Sequence, residues 1–133
     1  MPAVERFFDT NILLYILSEE TAKAERAEAE LAKGGAISVQ VLNEFTHVAR
    51  RKVGLDWAEI GELLDTFRSV LDVLALTEAM HDRARSIAAE TGYTIYDSLI
   101  ISAAQISGAT ELITEDMQDG HRIGDLILRN PFA

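Results

Sequence analysis

At 133 residues the chain is close to the commonest domain length, so one compact domain over 1–133 is expected. The composition is 48% apolar with no run near the ~18 residues that cross a bilayer, the opening MPAVERFF lacks the basic start and apolar stretch of a secretion signal, and the absence of cysteine excludes disulfides and thiolate metal sites, so a cytoplasmic location is expected. Twelve Lys and Arg against 22 Asp and Glu give a net charge of −10, which excludes broad electrostatic attraction for nucleic acid and leaves only local binding, a basic protein partner or metal cations.

Val4 to Asp9 (VERFFD) reads as a short strand ending on a carboxylate, after which Ile12, Leu13, Tyr15 and Ile16 fall at helical spacing. Asp9-Thr10-Asn11 is therefore a strand-to-helix turn. Residues from about Glu19 to Lys33 are rich in Ala, Glu and Lys, the composition of an exposed helix, and Gly34-Gly35 ends it. Ala36 to Val39 is a second strand, and Val41, Leu42, Phe45, Val48 and Ala49 mark an amphipathic helix. A third helix runs from about Asp56 to Val70 with Ile60, Leu63, Leu64 and Phe67 as its buried stripe, and Asp72 to Leu76 follows as a strand. Two helices, Glu78 to Thr91 and Ile95 to Ser107, are separated by Gly92; Glu111 to Thr114 and Ile123 to Leu128 complete the strands. This alternation predicts an α/β fold with a mostly parallel four- or five-stranded sheet, helices on both faces, and ligands at the strand C-terminal ends.

Five acids are candidates, and each has a plain structural alternative. Asp9 serves equally as a helix N-cap. Glu44 borders an apolar stripe, where a carboxylate needs a cation or donors beside it unless it sits at the solvent margin. Asp97 completes a capping-box pattern, Thr94-Ile95-Tyr96-Asp97. Asp116 directly follows a strand, whereas Asp119-Gly120 also reads as a tight turn. Carboxylates brought to one sheet edge repel unless a divalent cation neutralises them, and an all-oxygen set favours Mg²⁺ or Mn²⁺ over zinc. Arg50-Arg51-Lys52 is the only dense basic run; it either grips phosphate or complements a helix C-terminal dipole. Tyr93 and Tyr96 either stack on bases or pack in the core.

The strings FFDTNILLY, VLNEF, IYDSLIISAA, TEDMQDG and RNPF, in that order along the whole chain, resemble the PIN-domain family, especially the toxin nucleases of VapBC toxin–antitoxin pairs. The resemblance implies a PIN-like, Rossmann-like fold and hydrolysis of RNA phosphodiester bonds by metal-activated water. Asp9, Glu44, Asp97 and Asp116 would hold Mg²⁺ or Mn²⁺, with Asp119 as an extra acid and Thr10, Asn11 and Thr114 orienting ligands or water. It also implies a cognate antitoxin and a homodimer. Rival readings are a non-catalytic module on the same fold, a phosphoaspartate receiver or phosphatase, and a di-iron helical bundle built on the pairs Glu44/His47 and Glu78/His81. Zinc-protease motifs, a serine nucleophile elbow and a Gly-rich phosphate loop are absent.

Overall fold

In the computed structural model, which describes residues 5–133, short strands alternate with helices. The order is β1 (Arg6–Phe8), α1 (Thr10–Leu14) with a 3-10 turn (Tyr15–Leu17), α2 (Thr21–Ala32), β2 (Ala36–Ser38), α3 (Val39–Val48) running into a π-helical turn (Ala49–Val53), and α4 (Trp57–Val70). Then come β3 (Asp72–Leu74), α5 (Glu78–Thr91), α6 (Ile95–Ser107), β4 (Glu111–Ile113), β5 (Arg122–Ile123) and β6 (Leu126–Arg129). The expected beginning of the first strand at Val4 lies outside the described residues.

One six-stranded sheet has the order β3-β2-β1-β4-β6-β5. Every neighbouring pair is parallel except β5 with β6. The sixth strand corrects the expectation of four or five: Ile123 to Leu128 is not one strand but the greater part of a hairpin. Its two-residue turn is Gly124-Asp125, with Gly124 at φ 62, a conformation that side chains disfavour and tight hairpins need. A sheet of this kind also removes the di-iron bundle, which needs four long helices around its centre.

The central strands are covered on both faces, as parallel sheets require. Phe7, Phe8, Ile37, Leu112 and Ile113 have no exposed surface, and the inner faces of α1, α3 and α6 close over them through Ile12, Leu13, Phe45 and Ile101. Phe45 meets Phe67 of α4 edge to face at 5.0 Å, which fixes α3 against the domain and with it the direction of Glu44. Arg6 and Arg129 converge on buried Glu30, a carboxylate whose burial alone would raise its pKa; hydrogen bonds and charge from the two arginines outweigh that and lower it.

Gly35, just before β2, has φ +148, and a Cβ there would stand 2.5 Å from the Arg6 carbonyl oxygen and 2.8 Å from the Phe8 ring. Both obstacles belong to β1, so neither can move cheaply. Gly35→Ala is expected to cost roughly 2–4 kcal/mol through strain and overpacking combined; an unchanged urea midpoint would show that β1 and β2 separate more easily than this.

Candidate active site

The chain lays down β1, β2 and β3 outward in one direction, then returns to the other side of β1 for β4. That reversal opens a crevice beyond the C-terminal ends of β1 and β4, the usual ligand site of open α/β sheets. Asp9 is the first residue after β1, and Thr114 the first after β4. Their backbones are tied together, Asp9 N–H donating to the Ile113 carbonyl at 3.0 Å.

Asp9 is 5% exposed and caps α1. Its Oδ1 accepts from the Thr10 N–H at 2.7 Å, and its Oδ2 from the Thr114 hydroxyl at 2.8 Å and the Asn11 amide at 3.3 Å. Capping and site roles therefore coincide in one side chain. Burial pushes its pKa up to about 7; the charges of Asp97 and Asp116 push the same way, against the Thr114 and Thr10 hydrogen bonds.

Glu44, half-buried on α3, has the partner its position demands: Thr10 Oγ1 donates to Oε1 at 2.8 Å. Burial and the Asp97 charge raise its pKa, opposed by hydrogen bonds from Thr10 and Gln40. At the start of α6, Thr94 Oγ1 accepts from the Asp97 N–H at 3.1 Å, but the reciprocal bond of a capping box is not made, unlike the complete box of Asp56 and Glu59 at α4. The Asp97 carboxylate is raised by burial and by Asp116. Asp116, exposed on the loop after β4, is tethered through its N–H to Thr114 Oγ1 at 3.3 Å. One threonine hydroxyl thus links Asp9 to the Asp116 loop.

Four of the five candidate acids therefore share one field. Asp119 does not join them: its Oδ1 accepts from the Asn130 N–H at 2.8 Å, so it holds the C-terminal segment against the turn, and it is not among the charges that act on Asp9, Glu44 or Asp97. Among the described residues no three His, Cys, Asp or Glu side chains already enclose a single ion point. The donor set still fits a hard divalent cation. It is all oxygen, three of its members are raised toward protonation by burial and one another's charge, and Asp9 is buried without a basic partner.

Residues to which the sequence assigned no site role lie alongside. Glu115 pairs with Lys23 of α2 at 3.1 Å, Lys23 Nζ lies 4.1 Å over the Tyr15 ring, and Tyr15 meets Phe132 edge to face at 5.2 Å. Burial, together with the charges of Glu115, Asp116 and Asp9, raises the Tyr15 hydroxyl above its usual range. Asn11 Oδ1 accepts weakly from the Glu115 N–H at 3.4 Å. Of the two tyrosines weighed for stacking, Tyr93 packs against the core and pairs with His121 at 2.8 Å, while Tyr96 is 60% exposed. Arg50, Arg51 and Lys52 lie on the π-helical turn beyond Glu44, all exposed.

The PIN domain family model matches residues 6–121. No curated protein matches the sequence significantly. Among solved structures, the chain is similar to a toxin–antitoxin complex from Klebsiella pneumoniae, with TM-score 0.72 and 22% identity over 96% of this chain and 98% of that one. It is also similar to VapBC2 from Rickettsia felis, bound there to a promoter DNA fragment, with TM-score 0.67 and 27% identity over 94% and 97%. A third similar structure is the VapC20 toxin of Mycobacterium tuberculosis, which cleaves the sarcin-ricin loop, with TM-score 0.67 and 17% identity over 81% and 87%. The match from residue 6 to residue 121, nearly the whole chain, shows that this chain belongs to the PIN domain family.

Proposed function

We propose that this chain is a divalent-metal-dependent ribonuclease and the toxin of a toxin–antitoxin pair. The observation that carries the reading is Asp9: a buried carboxylate at the β1/β4 crevice, with its pKa raised to about 7 and three further acids around it. A structural cap would be served by Asn or Ser without that electrostatic penalty. Similarity to toxin–antitoxin complexes and to an RNA-cleaving toxin supports RNA as substrate and an antitoxin as partner. The excess of 22 acids over 12 bases supports a basic segment of that antitoxin as the cover of the crevice. A homodimer is proposed on family likeness alone.

Asp9, Glu44, Asp97 and Asp116 would hold Mg²⁺ or Mn²⁺. When bound, such an ion lowers the pKa of water and neutralises charge that builds on phosphoryl oxygens. The protein's own part is positional. Thr10 and Thr114 hold the carboxylates of Glu44 and Asp9 at fixed angles, Asn11 spans Asp9 and Glu115, and the apolar floor of Phe8, Ile12 and Ile113 excludes bulk water beneath them.

Cleavage of a total RNA pool, with Mg²⁺ or Mn²⁺ and with chelator, tests the reading directly. Cuts that need the metal support it, and cuts that survive chelation would assign the activity elsewhere. No cleavage under any condition would favour the non-catalytic module. Because Thr114 links two acids, Thr114→Val is expected to lower cleavage and metal affinity about tenfold or more, and Thr114→Ser to restore both. Equal rates for Thr114→Val and the parent chain would remove the hydroxyl from the site.

A further inference from the structure

Beyond Glu44, α3 does not end in an ordinary cap. It widens into the π-helical turn Ala49–Val53 and closes on Gly54 at φ 82. A π-helical turn sacrifices regular helix geometry and is found disproportionately at functional positions. Here it carries Arg50, Arg51 and Lys52 in succession, all exposed, and none is paired with a carboxylate among the described residues. On a chain of net charge −10, three adjacent unpaired cations mark a site of opposite sign to the rest of the surface.

Two of these cations, Arg50 and Arg51, line a groove of about 500 Å³ together with Asn43, Thr46, His47 and Trp57. Trp57 opens α4 and is 63% exposed, the most exposed large apolar side chain among the described residues. The Arg50 guanidinium lies 5.5 Å from its ring centroid while also donating to the Leu55 carbonyl at 3.1 Å, so the ring is held by a fixed partner. Arg50 is thus engaged by the loop after the helix, whereas Arg51 and Lys52 make no ion pair among the described residues.

We propose that this groove binds single-stranded RNA, with Trp57 as a platform for a base and Arg51 and His47 as phosphate contacts. An aromatic face beside unpaired cations is the combination that binds single strands without reading sequence. Glu44 and His47 stand at positions i and i+3, on one side of α3, so the groove begins about one turn, roughly 5 Å along the axis, from Glu44. A strand entering the crevice would be gripped where the local charge turns favourable, which answers how a strongly acidic protein holds a polyanion. The occupant rests on the ribonuclease reading, but binding and cleavage are separable.

Trp57 is the only tryptophan in the chain, so its fluorescence reports this groove alone. In chelator at low salt, a short single-stranded oligoadenylate is expected to quench that emission to saturation, with the quench weakening as salt rises. By anisotropy of labelled oligoadenylate, Trp57→Leu and Arg51→Ala are each expected to bind roughly tenfold more weakly, and Arg51→Ala to reduce the salt slope by about 1. Both side chains are exposed, so thermal melts should stay at the parent temperature, and the native quench decides the matter if a variant does not. Metal-dependent RNA cleavage without any quench would overturn the groove and leave the enzyme standing; a quench without cleavage would do the reverse. Quenching by oligoglutamate but not RNA would assign the face to an acidic protein segment. A smaller oligomer in Trp57→Leu with no RNA effect would assign it to a second copy of the chain.

Discussion

Asp9→Asn is expected to lower metal-dependent RNA cleavage at least a hundredfold while making the metal-free protein more stable at pH 8. The loss follows from removing the most buried charge of the set, on which cation binding depends. The gain follows from the same burial: above its raised pKa of about 7 the carboxylate is ionised in a site with hydroxyl and amide donors but no basic partner. Asparagine keeps an acceptor for the Thr10 N–H but turns an amide toward the Thr114 hydroxyl and Asn11 Nδ2, both of which already donate there. That mismatch limits the gain to about 1–2 kcal/mol. The opposite signs matter, because a variant that merely unfolds loses both. Asp119→Asn retains an acceptor for the Asn130 N–H and should leave cleavage unchanged; if it abolishes cleavage while Asp9→Asn does not, the site has been built from the wrong acids.

Local signals made much of this arrangement legible. The ends of α5 and α6 fall where the sequence puts them, because Thr77 and Thr94 accept from the third N–H of each helix and Gly92 and Gly108 close them in left-handed conformation. Glu44 was legible as a carboxylate needing a partner, but the partner is Thr10, 34 residues away, and periodicity carries no information about that pairing. Asp116 and Asp119 share one run of turn formers, and only the C-terminal segment folding back to Asn130 separates their roles. Tyr15 reads as one more apolar position of a helical stripe; that its hydroxyl feels Glu115, Asp116 and Asp9 depends on the loop after β4, far along the chain, which helical spacing does not reveal. The Trp57 groove likewise depends on a π-helical turn, and helical patterning cannot distinguish this from a plain helix end.

Metal-free protein is expected to melt on the order of 10 °C lower at pH 8 than at pH 5. Asp9 titrates near 3.8 when unfolded and near 7 when folded, so the folded state binds its proton more tightly. The resulting stability is complete below the unfolded value and is lost as pH rises through the folded one; for Asp9 alone the span is on the order of 4 kcal/mol. Glu44 and Asp97, also raised, act in the same direction. Glu30 acts oppositely: its lowered pKa gives stability that disappears only as pH falls below the ordinary carboxylate range, outside this window. A divalent cation binds the ionised form of the crevice and should therefore restore the pH 8 melt and flatten the profile, while Asp9→Asn should flatten it without metal. A metal-free profile that rises from pH 5 to pH 8 would mean that neither burial nor neighbouring charge disfavours ionised Asp9, Glu44 and Asp97 in the folded protein, and the case for a cation among them would fall with it.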